Sequence, residues 1–199
     1  MSIAPSMRYS LKISISAIFG ALAIAVSIVF PGIPYPIAPF LKIDFSEIFD
    51  LMALFIGGWG VGVIVATIHF LGLMFSAEYI IGPPLKYIAV LSMYLGIYLS
   101  GLRVGIVQGS SHRFRIALVN SSIIRAIIMT IVNIFIVTIV APEFYAFFEY
   151  QVEAILGWET SILNVLLYLF IIIGSYNVIQ TVFAFTIAVI IYKSIFRYL

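Results

Sequence analysis

Residues 30–50 read FPGIPYPIAPFLKIDFSEIFD and hold four of the chain's eight prolines (Pro31, Pro34, Pro36, Pro39) and three of its eight acids (Asp44, Glu47, Asp50). Long hydrophobic runs lie on either side. Prolines this dense forbid a continuous helix or an inner strand, because each removes a backbone N–H and fixes φ. The segment is expected to be extended and stiff, with few conformers to lose when it closes over something. Its apolar content, Phe30, Ile33, Tyr35, Ile37, Phe40 and Leu41, does not suit a solvated linker. Two readings fit: a pocket-forming loop at a membrane surface, or a proline-rich connector packed on a bundle. Ser46 then reads as an N-cap, with Glu47 in the first turn of the next helix, where a carboxylate is favoured.

Composition sets the solvent around this stretch. Of 199 residues, 64% are hydrophobic and 9% charged, against about 25% charged in a soluble domain. The chain reads as an integral membrane protein, one domain over residues 1–199, with room for about six short-looped spans. The expected fold is an all-α membrane protein, a compact six-transmembrane-helix bundle with an extracellular substrate-capping loop. The absence of cysteine excludes a disulfide framework, a thiolate metal site and a cysteine nucleophile. The first apolar run is too long, and too poorly followed by small residues, for a cleaved signal peptide.

Hydrophobic runs predict spans over Leu11–Val29, Ser46–Gly57, Gly60–Phe75, Pro84–Leu102, Ile116–Val140 and Ser161–Ile191. The second is so short that it must tilt, start below the membrane surface or be continued by ordered loop. The sixth exceeds a hydrocarbon core of about 30 Å, so it protrudes, tilts or is interrupted near Gly174-Ser175. With the N-terminus inside, the inner ends and loops hold Arg8, Lys12, Arg103, Arg113, Arg115, Lys193 and Arg197, seven of the ten basic residues. All eight acids fall outside or at outer span ends. The sorting predicts both termini in the cytoplasm, and the proline loop and an acidic Ala141–Thr160 loop outside.

Polar groups at membrane depth are costly unless paired, which makes them the default site candidates. Arg125, Met129 and Asn133 step by four along the fifth span and share a side. Asn177 and Gln180 share a face of the sixth. Amides that both donate and accept suit a neutral, multiply hydrogen-bonding solute; the alternative for each is an interhelical hydrogen bond of about 0.6 kcal/mol. Arg125 reads as binding carbonyls or snorkelling. His69, with no second histidine or acid close by in the sequence, reads as structural. Lys42 and Asp44 either pair with each other, cap the helix or serve a ligand. No G-x-x-x-x-G-K-[ST], H-E-x-x-H or G-x-S-x-G motif occurs, and no acid lies at the centre of a predicted span. Catalysis, ATP hydrolysis by this chain, a metal site and a cofactor are not expected.

The segment PFLKIDFSEI, followed by Gly57-Gly58-Trp59-Gly60-Val61-Gly62, resembles the first loop and second helix of the substrate-binding S components of energy-coupling factor (ECF) vitamin transporters, above all the riboflavin-specific branch. Arg125–Asn133, RAIIMTIVN, is similar to the Arg…Met-x-x-x-Asn pattern of their fifth helix. Gly174–Gln180, GSYNVIQ, resembles their Pro-Phe-Asn followed three residues later by lysine, with Ser175-Tyr176 replacing Pro-Phe and Gln180 standing at the lysine. The resemblance implies a riboflavin-binding subunit with Phe40, Leu41, Lys42, Asp44, Asn133, Asn177 and Gln180 at the ligand. It implies as partners a transmembrane coupling subunit, docked on an Ala-x-x-x-Ala face formed here by Ala17 and Ala21, and two separate ATPases; no nucleic acid is involved. Gln180 keeps open another vitamin, such as pantothenate, folate or thiamine. A membrane enzyme or assembly factor would need a carboxylate or histidine cluster at membrane depth. An ion-coupled carrier would need inverted repeats or intramembrane charges.

Overall fold

A computed structural model describes residues 9–30, 32–76, 80–105 and 111–195. Pro31, Arg8, Arg197 and Glu78 of the sequence reading lie outside them.

The proline stretch is extended, as its missing N–H groups require, but it is paired: β1 (Ile33–Tyr35) and β2 (Ala38–Ile43) form an antiparallel hairpin. Ile33 faces Ile43 and Pro34 faces Lys42, with an irregularity at Pro34/Tyr35. In a two-stranded ribbon both strands are edges, where proline is tolerated. The prediction of an all-helical chain is amended by this one element.

Around it lie α1 (Tyr9–Val29), α2 (Glu47–Gly57), α3 (Trp59–Met74), α4 (Gly82–Leu99), α5 (Ser111–Phe135), α6 (Phe144–Gln151), α7 (Ile162–Tyr168) and α8 (Gly174–Ile195). A π-helical turn, Ile136–Val140, extends α5, and another, Leu169–Ile173, joins α7 to α8 in one helix of 34 residues. By length and apolar composition, three described helices suffice to cross a membrane: Tyr9–Val29, His112–Val140 and Ile162–Ile195. The expected acidic loop at Ala141–Thr160 is instead largely helical. Its FYAFFEYQ segment forms α6, followed by a π-helical turn at Val152–Leu156, because Phe148 and Val152 bury against α7 and the hairpin.

Each helix packs on the next in the order α1, α2, α8, α5, α4, α3 and back to α1. Gly58, at φ 82°, lets the chain reverse between α2 and α3. α4 and α5 approach closely at Gly96, where a Cβ would lie 2.3 Å from Ser121 Cα. In lipid, such small-residue contacts set how near two helices come.

Two apolar clusters occupy opposite ends. One joins Leu51, Phe55, Ile97, Phe114, Phe185 and Tyr192, with Phe55 edge-on to Phe114, Phe185 and Tyr192. The other joins the hairpin's Tyr35 and Ala38 to Val137, Phe148, Tyr168 and Ile172. Between them, midway along α5 and the 34-residue helix, the interior turns polar.

Candidate functional site

That polar layer surrounds a cavity of about 200 Å³ bounded by the hairpin, α2, α4, α5 and α8. Leu41, Lys42, Asp44 and Glu47 form one side, Lys86 another, and Arg125, Met129, Asn133, Tyr176 and Asn177 the rest. The four-residue step along α5 thus puts Arg125, Met129 and Asn133 on one wall. A second, apolar cavity of about 490 Å³ is walled by Phe40, Ile136, Phe144, Phe147 and Phe148 and shares Gly82, Leu85 and Asn133 with the first. The two adjoin, and together they fall in the range of about 300–1,000 Å³ usual for small-molecule sites.

Four of the five charged residues that line the polar part, all but Lys42, are arranged in pairs. Arg125 and Glu47, each about 2% exposed, form a bidentate pair, with Nη2 donating to Oε1 at 2.9 Å and Nη1 to Oε2. Arg125 Nε donates to Asn177 Oδ1 at 3.0 Å, and Asn177 Nδ2 donates back to Ile173 O at 2.8 Å, which fixes the amide's orientation. Buried ions require this: a guanidinium without a carboxylate and further acceptors would be prohibitively costly at this depth. Lys86 Nζ donates to Asp44 Oδ2, to Ser46 Oγ at 2.8 Å and to Ser27 Oγ at 2.8 Å. Burial pushes the Asp44 carboxyl up, but the charge of Lys86 and hydrogen bonds from Lys86 and Ser46 outweigh it and hold the group below its ordinary 3.8. Asn133 Nδ2 donates to Met129 O at 2.7 Å, and its Oδ1 takes no hydrogen bond from the described residues.

Of the residues expected at the ligand, Leu41, Lys42, Asp44, Asn133 and Asn177 line the polar cavity, and Phe40 lines the apolar one, edge-on to Phe147 at 5.1 Å. Gln180 lies on neither wall. It is fully buried, and both amide atoms bond the backbone of Asp44, so its role is to hold the loop. Asp44 pairs with Lys86 and not with Lys42, whose carbonyl accepts from Tyr176 Oη at 2.7 Å. Ser46 does not cap α2 with its side chain: it is itself helical, and Asp44 Oδ1 accepts from its N–H at 2.7 Å.

His69 has the acid that sequence proximity did not offer. Its Nδ1 lies 2.9 Å from Asp50 Oδ2, and its Nε2 lies 2.9 Å from Ser27 Oγ. Glu47 and Asp50 are both buried carboxylates, which a reading confined to span centres overlooks because α2 begins beneath the hairpin. Sequence reasoning left out of the site the charged cavity residues Lys86, Glu47 and Arg125, and the aromatic wall of Phe144, Phe147 and Phe148. A signal existed: Lys42, Lys86 and Arg125 are the three basic residues left over when the other seven are assigned to the inner ends, and all three line the cavity. Ala17 and Ala21 lie on the exposed outer face of α1, while Ser16, Gly20 and Ala23 face inward.

No curated protein matches the sequence. A solved structure described as "Structure and mechanism of the S component of a bacterial ECF transporter" shares the fold, with a TM-score of 0.71 at 20% identity over 96% of this chain and 98% of that one. Residues 11–192 match the family described as ECF transporter, substrate-specific component. With its ring of helices and a paired-charge cavity beneath a hairpin, the chain belongs to the substrate-specific components of ECF transporters.

Proposed function

We propose that the chain is the riboflavin-capturing subunit of an ECF transporter, delivering the vitamin with a transmembrane coupling subunit and two ATPases. The observation behind this reading is the two-part cavity. Its aromatic part, walled by Phe40, Phe144, Phe147 and Phe148, suits a flat tricyclic ring, since aromatic faces and edges pack well on one another. Its polar part, with Asn133 and Asn177, suits hydroxyls and a pyrimidine edge that both donate and accept. Because Arg125 and Lys86 are each matched by a carboxylate, a neutral solute meets no unbalanced buried charge there. In this reading six helical segments span the membrane, both termini are cytoplasmic, and the hairpin covers the site from outside, in keeping with the basic residues at the inner ends. Docking uses the Ala17/Ala21 face of α1.

The test is the absorption spectrum of detergent-purified protein expressed without added vitamin. The expected result is a flavin spectrum at near-stoichiometric yield, with affinity weakened by Asn133→Ala and Asn177→Ala. Colourless protein that leaves riboflavin fluorescence unquenched would overturn the assignment.

A second reading, another vitamin, is favoured by Lys42, which lines the cavity with no carboxylate partner among the described residues. A carboxylate-bearing vitamin such as pantothenate or folate would use that cation. Its binding would then fall in Lys42→Gln, a change that a neutral ligand tolerates.

A further inference from the structure

We propose that Lys86 is a positioning residue that locks the hairpin junction over the cavity and joins that closure mechanically to α1. The inference rests on the cavity being the substrate site, but not on which solute occupies it.

An ammonium has three protons and no acceptor. Those of Lys86 go to three oxygens on two other elements: Asp44 and Ser46 at the junction of β2 and α2, and Ser27 in the last turn of α1. Lys86 therefore has no proton left for a ligand, although its side chain forms part of the wall. One residue of α4 instead fastens the lid's hinge to the outer helix.

The direction of the remaining bonds follows from that. Since Lys86 only donates, Ser27 Oγ accepts from it, and with a neutral imidazole at His69 the hydroxyl proton of Ser27 goes to Nε2 at 2.9 Å. His69 then carries its own proton on Nδ1, donating to Asp50 Oδ2 at 2.9 Å. The result is a one-way hydrogen-bond chain, Lys86 to Ser27 to His69 to Asp50, crossing from α4 through α1 and α3 to α2. Tyr94 of α4 donates to Asp50 O at 2.7 Å and closes the circuit. His69 and Asp50 are buried, so water offers no substitute partners, and the chain is satisfied only when α1 and the hairpin junction are both in place. Movement of Asp44 on loading or release changes the load on Ser27, and movement of α1 changes the hold on Asp44. Because α1 also presents Ala17 and Ala21 outward, the arrangement connects the cavity to an exposed helix face without a residue of α1 lining the cavity.

The experiment is hydrogen–deuterium exchange on the purified full-length protein without added vitamin, comparing wild type, Lys86→Met, Lys86→Arg and Ser27→Ala. In Lys86→Met, amides of residues 40–46 and the last turn of α1 should exchange about tenfold faster, as expected for losing charge-assisted hydrogen bonds, with the middle of α5 unchanged. Lys86→Arg, which keeps charge and donors, should restore most of the protection. Ser27→Ala should speed exchange at the end of α1 and leave the hairpin junction held by Lys86 and Asp44. Unchanged exchange at residues 40–46 in Lys86→Met, Arg behaving as Met does, or a uniform rise through α5 would each overturn the proposal. If Lys86→Met yields no folded protein, Ser27→Ala decides alone, and wild-type exchange at the end of α1 would refute the link. A failed riboflavin assay leaves these outcomes intact.

Discussion

The carboxamide of Gln180 grips the main chain of Asp44 from both sides, accepting from its N–H at 2.9 Å and donating to its carbonyl at 2.8 Å. The side chain replaces the hydrogen bonds that a neighbouring strand would make, at the point where β2 has ended and α2 has not begun. Replacing it with leucine leaves two part-buried backbone groups without their partner, at up to about 1–3 kcal/mol each. If riboflavin is the solute, as proposed, Gln180→Leu should raise its dissociation by tenfold or more, with association little changed; stopped-flow fluorescence separates the two. Equal changes in both rates would argue against a holding role.

The Arg125–Glu47 pair predicts a large asymmetry between single and double variants. Removing one partner leaves an uncompensated buried charge, at about 3–5 kcal/mol. Arg125→Met and Glu47→Gln should each lower the thermal unfolding temperature in detergent strongly. The double variant should recover most of that loss while remaining defective in ligand binding, since Asn177 loses the Arg125 donor that helps orient it.

Asp44 gives the pH dependence a sign. Its carboxyl titrates below the ordinary 3.8 in the folded protein because of Lys86 and the hydrogen bonds around it. The stabilisation this represents is fully present above the unfolded value and is lost as pH falls through the lower, folded one. Ligand retention should hold as acid is added down to about 3.8 and fail only below it. In Asp44→Asn that acid step should disappear, which a filter-retention series against pH would show.

Ala17 and Ala21 test assembly apart from capture. Tryptophan at either position adds bulk to an exposed face of α1 and touches no cavity wall. Ala17→Trp and Ala21→Trp should leave solute affinity unchanged and abolish co-purification with the coupling subunit. Retained co-purification would move the docking face elsewhere.

Gly96 tests the frame of the site. A Cβ there would meet the backbone of Ser121, which cannot turn aside as a side chain does. Gly96→Ala should cost at least the 1–3 kcal/mol or so typical of overpacking and should separate Lys86 from Arg125 across the cavity. A thermal shift assay and a binding titration read the two effects.

The long helices of this fold were legible because period and punctuation agree with one another, whereas α6, in the expected acidic loop, was not. The predicted spans and the observed helices differ by a few residues at their ends, as at Ser46–Gly57 against Glu47–Gly57. Pairing was not legible: proline density indicates extension, but nothing local states that residues 33–35 will meet residues 38–43. The same holds for the site. Asn133 and Asn177 are conspicuous as amides in apolar runs, whereas Lys86 follows two prolines at the start of a helix and looks interfacial. Only the fold reveals that its ammonium reaches Asp44, 42 residues earlier. His69 and Asp50 are 19 residues apart and on different helices, so their pairing depends on the turn at Gly58 more than on either residue's neighbours.

The π-helical turn at Leu169–Ile173 acts on the long helix as a shift of reading frame. A turn closed by i→i+5 bonds holds one residue more than an α-turn, so residues after it are rotated by about 100° relative to an uninterrupted helix. The side that presents Val165 and Tyr168 to the hairpin cluster and the side that presents Asn177 to the cavity are thereby set in separate phases. Deleting Ile171 should let α-helical bonds run straight through, with helix content preserved and the two faces brought into a single phase. Either the hairpin's footing or Asn177 would then point away from its partner, and binding should be lost from a protein that is still fully helical.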